Sequence, residues 1–90
     1  MEFEWDALKA ETSQSKHGVD FDEATTVFGD PLAVTFGDVD HSDDEISFLT
    51  FGVSSKNRPL VVAHTSRGDT IRIISARRMT PRELKDYEQY

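Results

Sequence analysis

The chain has 90 residues, of which 37% are hydrophobic and 30% are charged, and its formal net charge is −7. This composition excludes an intrinsically disordered chain, and the length is sufficient for one domain, residues 1–90, with one modest core. The absence of cysteine excludes disulfides and thiolate chemistry, and no apolar run approaches the roughly 20 residues of a membrane-spanning helix.

The chain begins with an alternating acidic segment. Phe3 and Trp5 are flanked by acidic residues, a pattern that allows a short extended entry. A secretory signal would instead need a basic start and an apolar stretch. A cytoplasmic protein that is mature from Met1 is therefore expected.

Two helices are predicted next, each with recognisable ends. The first runs over residues 7–17, with Asp6 as its N-cap and Gly18 at the position where a helix ends with positive φ. The second runs over residues 21–28, begins at the cap Asp20 and is stopped by a Gly-Asp-Pro sequence.

The pattern then changes to that of β-strands, with connections short enough to favour antiparallel neighbours. The predicted strands span residues 32–36, 46–53, 60–65 and 70–76. A last helix opens at Thr80, with Pro81 at its first position and Glu83 able to reach back to the cap. The predicted fold class is α+β, with two N-terminal helices, a four-stranded antiparallel sheet and a C-terminal helix.

Most of the positive charge lies in the last third of the chain. Residues 1–55 carry two Lys/Arg against 13 Asp/Glu, a balance of −11. Residues 56–90 carry eight Lys/Arg against four Asp/Glu, a balance of +4. This asymmetry indicates an anionic partner at one place on an otherwise repellent surface.

The arginines of this basic part are the strongest candidates for an anion site. Arg67, Arg72, Arg77 and Arg78 lie in or beside the fourth predicted strand, and arginine matches phosphate oxygens two at a time. If several converge, they could hold RNA and stabilise a charged transition state; the alternative is that each pairs with a nearby acid. A bulge near Ile73 would let Arg72 and Arg77 point to the same side of the sheet.

Two polar residues near these arginines could take part in RNA cleavage. His64 ends the third predicted strand and could act as general acid or base, or it could be a satisfied histidine at a strand end. Ser75 lies between the arginines and could position a phosphate oxygen, or its hydroxyl could be bonded to backbone.

The remaining polar motifs favour structural roles. Lys16 and His17 stand at a helix C-terminus, where cations complement the helix dipole. The acidic run 38–45 could bind a divalent cation, but it lacks the glycine and the distant glutamate of a calcium loop, which favours a solvated hairpin loop. Glu45, where this loop enters a strand, could face the arginines as a base or as a salt-bridge partner.

Several segments, taken in order, carry a family resemblance: Phe3-Glu4-Trp5-Asp6, Lys16-His17-Gly18-Val19-Asp20-Phe21-Asp22-Glu23-Ala24, Val27-Phe28-Gly29-Asp30-Pro31, Phe48-Leu49-Thr50-Phe51-Gly52, Leu60-Val61-Val62-Ala63-His64-Thr65, Arg72-Ile73-Ile74-Ser75-Ala76-Arg77, and Glu83 with Tyr87. Each is weak alone. Their order and spacing, over nearly the whole chain, resemble the BrnT family of toxins from bacterial type II toxin–antitoxin systems.

The resemblance implies a RelE-like fold and a ribonuclease that blocks translation by cutting RNA. It also implies an antitoxin of the BrnA type, which inactivates the toxin and whose dimer binds the operon's own DNA. The implied complex contains two copies of each protein. Because the antitoxin is the component that binds DNA, the toxin is expected to meet operator DNA only through it. No cofactor and no membrane partner are implied.

The chemistry that the resemblance implies needs no metal. The 2′-hydroxyl attacks the adjacent phosphorus and leaves a 2′,3′-cyclic phosphate and a 5′-hydroxyl end. By position, Arg67, Arg72 and Arg77 match the family's basic residues and would neutralise the phosphorane. The nearby candidates for proton transfer and positioning are His64, Ser75 and Glu45.

Two departures from the family favour an alternative. Family members often carry Glu-x-Arg where this chain has Glu45-Ile46-Ser47, which removes one possible phosphate contact. A chain of charge −7 is also a poor generic RNA binder. The alternative function is a toxin-like binding module with weak or no catalysis, which acts through its antitoxin in transcriptional autoregulation.

Overall fold

The computed structural model describes residues 1–38 and 47–90, with Asp38 described by its backbone alone. Its elements are β1 (Glu2–Trp5), α1 (Ala7–His17), α2 (Phe21–Thr26), a 3₁₀ turn (Val27–Gly29), β2 (Val34–Asp38), β3 (Ser47–Val53), β4 (Pro59–Arg67), β5 (Thr70–Arg78) and α3 (Pro81–Glu88). Among the described residues, no helix is both long and apolar enough to cross a membrane.

The first two helices begin and end close to the predicted residues. Asp6 accepts hydrogen bonds from two backbone N–H groups in the first turn of α1, at 2.8 and 3.2 Å. Gly18 closes this helix with a φ of 67°, a conformation that glycine adopts without steric cost. The α-helical part of α2 ends at Thr26 and not at Phe28, because the next three residues tighten into the 3₁₀ turn.

The sheet corrects the prediction of four antiparallel strands. It has five strands in the order β1-β5-β4-β3-β2, and it is mixed, since β1 pairs with β5 in parallel while the other pairs are antiparallel. The extended entry at the start of the chain is therefore a strand of the sheet. A parallel partner must lie far along the chain, which neighbouring turn signals cannot indicate.

Alternation along β1 explains why this short segment joins the sheet. Phe3 and Trp5 face the helices, where Trp5 meets the ring of Phe21 edge-on at 5.8 Å and Phe3 lies 5.3 Å from Phe28. Four aromatic side chains thus seal the edge of the core, and the acidic residues between them point to the other side of the sheet.

The main core lies between the two N-terminal helices and the central strands. The cluster of fully or almost fully buried side chains comprises Val19, Phe21, Ala24, Val27, Leu60, Val62, Ile73 and Ala76. Gly52 lets the 3₁₀ turn approach β3 closely, because a Cβ at this position would lie 2.9 Å from Cγ1 of Val27.

A bulge in β5 sets which side chains share a face. Ala63 of β4 is opposite Ser75, but the next residue, His64, is opposite Ile73, so that Ile74 is an extra residue on β5. The bulge that the sequence allowed is therefore present. Side chains normally alternate between the two faces of a strand, and the extra residue shifts this alternation by one. Two residues on either side of the bulge, such as Arg72 and Arg77, can therefore share a face although they are five positions apart.

A buried ion pair joins α2 to the turn between β3 and β4. The side chain of Glu23 is fully buried, and its carboxylate accepts hydrogen bonds from Nε and Nη2 of Arg58 and, at 2.7 Å, from the Ser54 hydroxyl. Arg58 also donates to the carbonyl oxygen of Gly18 at 3.1 Å. The hydrogen bonds from Arg58 hold the pKa of Glu23 below its usual value.

Substitution of Glu23 by Gln is expected to lower the free energy of unfolding by about 2–3 kcal/mol at pH 7, since hydrogen bonds to charged groups contribute about 1.5–3 kcal/mol. The pKa of Glu23 is lower in the folded than in the unfolded state, so its carboxylate stabilises the fold fully at pH values above the unfolded-state pKa. This stabilisation is lost as the pH falls through the folded-state pKa. The difference between wild type and variant should therefore shrink below about pH 4.5. Urea unfolding at pH 7 and at lower pH measures it.

The matched control is Glu11→Gln, which changes an exposed glutamate of α1. Its effect should stay within about 0.5 kcal/mol. Equal losses in both variants, or a loss from Glu23→Gln that does not change with pH, would contradict a stabilising role for the ion pair.

Candidate active site

One face of the sheet carries three of the predicted arginines. By the strand register, Arg67 of β4 and Arg72 and Arg77 of β5 lie on the side opposite α1 and α2. Ser75 shares this side in the same register. We call this side the arginine face, and the bulge in β5 is what places Arg72 and Arg77 on it together.

Arg72 is paired with an acidic residue of the neighbouring strand. Glu4 lies directly opposite Arg72 on β1, and its carboxylate accepts a hydrogen bond from Nη1 at 2.7 Å. The two side chains are 29% and 41% exposed, so this pair contributes little to stability. Only one nitrogen of the Arg72 guanidinium has a partner among the described residues, and the N–H groups of the others can donate to a ligand.

Arg77 is held more firmly, by α3. Its two terminal nitrogens donate to the two carboxylate oxygens of Glu83 at 2.7 and 2.9 Å, which is the bidentate arrangement that arginine also uses for phosphate. Glu83 belongs to the predicted capping box with Thr80, which is present. The hydrogen bonds from Arg77 lower the pKa of Glu83 to about 2, so this carboxylate stays charged.

The other two predicted arginines differ in position. Arg67 is exposed at the end of β4, on the arginine face. Arg78 lies opposite Leu60 of the core, so it belongs to the other side of the sheet. Arg72 and Arg77 lie on one face near opposite ends of β5, and each is paired with a different carboxylate.

Two buried hydroxyls lie beside Arg72. Ser47, Thr65 and Arg72 occupy neighbouring strands in one row across the arginine face. The hydroxyl oxygens of Ser47 and Thr65 are buried and have no hydrogen-bond partner within residues 1–38 and 47–90. Ser47, the residue that departs from the Glu-x-Arg pattern of the resemblance, therefore lies on the arginine face.

His64 lies on the opposite side of the sheet from the arginines. Its ring is enclosed by Phe28, edge-on at 4.9 Å, and by Phe48, stacked at 5.7 Å. Nε2 is 2.7 Å from the hydroxyl of Thr50, which in turn is 2.8 Å from that of Thr35. Only 4% of His64 is exposed. The structure thus does not bring His64 to the arginines, because side chains alternate along β4.

Burial also determines the protonation of His64. Desolvation lowers its pKa to about 4, so the imidazole is neutral at pH 7. A neutral, enclosed imidazole bonded to a threonine is the arrangement of a histidine that packs in a core. Of the two alternatives open from the sequence, the geometry fits a histidine packed in the core, although only Nε2 has a hydrogen-bond partner and the buried Nδ1 has none within the described residues.

The predicted acidic loop is mostly outside the described residues. Glu45 and the run from position 39 onward are not described, and for Asp38 the backbone alone is. Within residues 1–38 and 47–90, no group of three or more His, Asp or Glu side chains could hold a metal ion. The prediction that Glu45 faces the arginines stays a prediction.

An apolar groove lies between α3 and the outer strands. It has a volume of about 380 Å³ and is lined by Val34, Phe36, Leu49, Phe51, Glu83, Asp86, Tyr87 and Tyr90. Phe36 is 41% and Tyr90 is 78% exposed, and their rings meet edge-on at 5.6 Å. An exposed apolar concavity with carboxylates at its rim has the character of a protein-binding surface.

Sequence reasoning missed a second hollow, of about 340 Å³, between α1 and the bulge of β5. It is lined by Lys9, Lys16 and His17 together with Ser75 and neighbouring residues. The sequence assigned Lys16 and His17 to the helix dipole alone. The signal that could have found the hollow is the spacing of Lys9 and Lys16, seven residues apart and thus on one side of a helix.

Comparison with known proteins bears on the family and the fold of the chain. The family model described as the ribonuclease toxin BrnT of type II toxin–antitoxin systems matches residues 5–83. The 1.1 Å crystal structure of the Brucella abortus ribonuclease toxin BrnT is similar, with a TM-score of 0.68 and 22% sequence identity, over 89% of this chain and 97% of that one. This likeness shows a shared α+β fold. No curated protein sequence matches the chain.

The buried His64 is expected to make stability depend on pH. Its folded-state pKa of about 4 lies below its ordinary value of 6.5, so its neutral form stabilises the fold fully above pH 6.5, and this contribution is lost as the pH falls toward 4. The loss between pH 7 and pH 4 is about 3 kcal/mol. Thermal or urea unfolding of wild type and His64→Gln over this range measures it.

The control for this prediction is Gln14→Ala, which changes an exposed residue of α1 that does not titrate. It should leave the pH dependence of stability unchanged, whereas His64→Gln should flatten it between pH 7 and pH 4. If His64→Gln keeps the wild-type pH profile, the imidazole is not held neutral by the core.

Proposed function

The chain belongs to the BrnT family of ribonuclease toxins of type II toxin–antitoxin systems, and from this premise we propose that it is an endoribonuclease that blocks translation by cutting RNA. It acts in the cytoplasm as one domain, residues 1–90. The observation that supports this proposal best is the arginine face of an otherwise acidic protein, since the bulge in β5 places Arg72 and Arg77 on the same side of the sheet as Arg67.

The proposed reaction needs no metal. The 2′-hydroxyl of the substrate attacks the neighbouring phosphorus, the 5′-oxygen leaves, and the products are a 2′,3′-cyclic phosphate and a 5′-hydroxyl end. Charge builds up on the non-bridging oxygens in the transition state, and guanidinium groups fixed on a rigid strand can stabilise it. Arg72 and Arg77 are the proposed ligands of these oxygens, and Arg67 holds a flanking phosphate.

For the arginines to bind a substrate phosphate, the phosphate must compete with the carboxylates that already contact them. In the structure the fork of Arg77 is filled by the carboxylate of Glu83, and Arg72 contacts Glu4. A substrate phosphate can use the remaining donors of Arg72 directly, but it must displace Glu83 to engage both terminal nitrogens of Arg77. We propose that Ser75, which is exposed on the same strand, donates to a phosphate oxygen.

The proton-transfer groups are assigned by position. Glu45, at the entry to β3, remains the candidate general base that takes the proton of the 2′-hydroxyl, and the departing 5′-oxygen takes a proton from water. His64 is on the other side of the sheet and is neutral at pH 7, so in this proposal it supports the core beneath the site and does not transfer protons.

The proposed partner is an antitoxin of the BrnA type, in a complex with two copies of each protein, and the toxin contacts operator DNA only through it. The apolar groove beside α3 is a suitable place for this partner. Its rim carries Asp86, and the toxin has a net charge of −7, which favours a segment with apolar and basic residues.

A second candidate function is a toxin-like binding module with little or no catalysis, which acts with the antitoxin in repression. The observation that favours it is the neutralisation of Arg72 and Arg77 by carboxylates, together with serine at position 47 of the arginine face. It predicts tight antitoxin binding without RNA cleavage.

Loss of Arg72 or of Arg77 is expected to reduce RNA cleavage by a factor of about 10²–10³, the usual effect of removing one electrostatic donor. Arg72→Ala and Arg77→Ala should relieve the growth arrest caused by expression of the toxin alone. Mapped transcript ends and cleavage of purified RNA measure the effect, and thermal unfolding checks that the variants stay folded.

The matched control is Arg82→Ala, which removes an exposed arginine of α3 and should leave cleavage unchanged. Arg77→Lys adds a second comparison, since it keeps the charge but loses the fork. Full cleavage by both alanine variants would show that the arginine face is not the site, and absence of cleavage by the wild type would favour the binding module.

Charge placed in the apolar groove is expected to weaken antitoxin binding by about tenfold or more, since a charged side chain cannot be buried in an apolar contact without a partner. Phe36→Glu makes this change at a residue that is 41% exposed, so the fold should tolerate it. Leu32→Glu is the control, because Leu32 is 74% exposed and does not line the groove. Calorimetry with the purified antitoxin measures binding, and equal affinities of the two variants would place the antitoxin elsewhere.

A further inference from the structure

The hollow between α1 and β5 differs in charge from two other concave surfaces formed by the described residues. The apolar groove is lined by Glu83 and Asp86, and a third hollow near the N-terminus is lined by Glu2 and Asp69. The hollow beside α1 is lined by two lysines and a histidine and by no acidic residue. In a chain with 17 acidic residues, this local absence of carboxylates makes the hollow a positive site on a negative body.

The cations of this hollow are available to a ligand. Arg58, Arg72 and Arg77 are each paired with a carboxylate. In contrast, Lys9 and Lys16 make no ion pair within the part of the chain that the structure describes. Their ammonium groups therefore keep the capacity to neutralise an anion from outside.

Helix stability does not explain both lysines. Lys16 lies in the last turn of α1, where a cation complements the helix dipole. Lys9 lies in the first turn, where the carboxylate of the N-cap Asp6 accepts its backbone N–H and where a cation does not complement the helix dipole. Lys9 thus carries a small cost to the helix, which is consistent with a role in binding.

The geometry suits an extended polyanion better than a single ion. Lys9 and Lys16 are seven residues apart on one side of α1, which separates them by about 10 Å along the helix axis. Ser75 lines the same hollow and, by register, lies on the side of the sheet that carries the arginines. Pairing with β1 ends at Ile73, so the strand edge at Ser75 is not covered by β1.

We propose that this hollow binds the phosphodiester backbone of single-stranded RNA and guides it past Ser75 to the arginine face. This inference rests on the proposed ribonuclease function and adds the path by which the substrate reaches the site. Lys9 and Lys16 contact phosphates that flank the scissile one. The lysines supply binding and do not take part in the chemical step.

The test measures binding separately from cleavage. The probe is a fluorescent single-stranded 2′-O-methyl RNA, which has no free 2′-hydroxyl and so cannot be cut by the proposed reaction. Its affinity for purified toxin is measured by anisotropy over a range of salt concentrations. At 0.1 M salt, Lys9→Ala and Lys16→Ala should each weaken binding about fivefold, and each should lower the slope of log K against log salt by about 0.7.

The double variant should lose about 25-fold in affinity at the same salt concentration. Lys85→Ala is the matched control, since it removes one exposed lysine of α3 outside the hollow and should bind like the wild type. Unfolding curves of all variants check that they are folded.

The outcomes separate the two proposals. Wild-type affinity and salt slope in both lysine variants, or no binding by the wild type at low salt, would overturn the inference. Binding that depends on the lysines, without any cleavage of ordinary RNA, would support the inference and remove the ribonuclease proposal. Cleavage that depends on Arg72 and not on the lysines would leave the ribonuclease proposal in place and reject the path.

Discussion

The arrangement of the arginine face depends on one extra residue in β5. In a regular strand, positions 72 and 77 would point to opposite sides of the sheet. Because Ile74 is an extra residue opposite the junction of Ala63 and His64, Ile73 and Ala76 both reach the core while Arg72 and Arg77 both face outward. A single bulge therefore directs the apolar side chains of β5 into the core and both arginines to the opposite side of the sheet.

Charge pairing then decides how available each cation is. The arginines that the fold holds most firmly are those paired with carboxylates, Arg77 by Glu83 and Arg58 by Glu23. Such pairing keeps guanidinium groups in a defined position on an acidic protein, but it also means that a phosphate must replace a carboxylate. The lysines of α1 have no such competitor among the described residues, so they are suited to the first contact with a polyanion and the arginines to the later, more specific one.

The sequence predicted local features well and distant ones poorly. The caps Asp6, Asp20 and Thr80 act as expected, because each depends on residues within one helical turn. The parallel pairing of β1 with β5 was missed, since it joins the two ends of the chain and leaves no signal in spacing. The sequence left open whether His64 faces the arginines or packs in the core, because alternation alone did not reveal which face of β4 packs against the helices.

The candidate site shows the same division. The sequence singled out Arg67, Arg72 and Arg77 as candidates, and the bulge that puts Arg72 and Arg77 on one face was one of its open possibilities. It did not predict their carboxylate partners Glu4 and Glu83 as neighbours, nor the hollow that joins Lys9 to Ser75, because these contacts are created by packing. The distribution of charge along the sequence showed that residues 56–90 are basic. The fold was needed to show on which side of the sheet each cation lies.

The attachment of α3 has a consequence for motion. This helix has no buried side chain, and it is held by the Arg77–Glu83 pair, by the Tyr87 hydroxyl on Asp30 and by the ring contact of Tyr90 with Phe36. Elements held by a few peripheral contacts detach while the remaining structure persists, so the amide protons of α3 should exchange with solvent well before those of the central strands. Each such detachment releases Arg77 from its carboxylate and removes one wall of the apolar groove, which links the two surfaces through a single local opening.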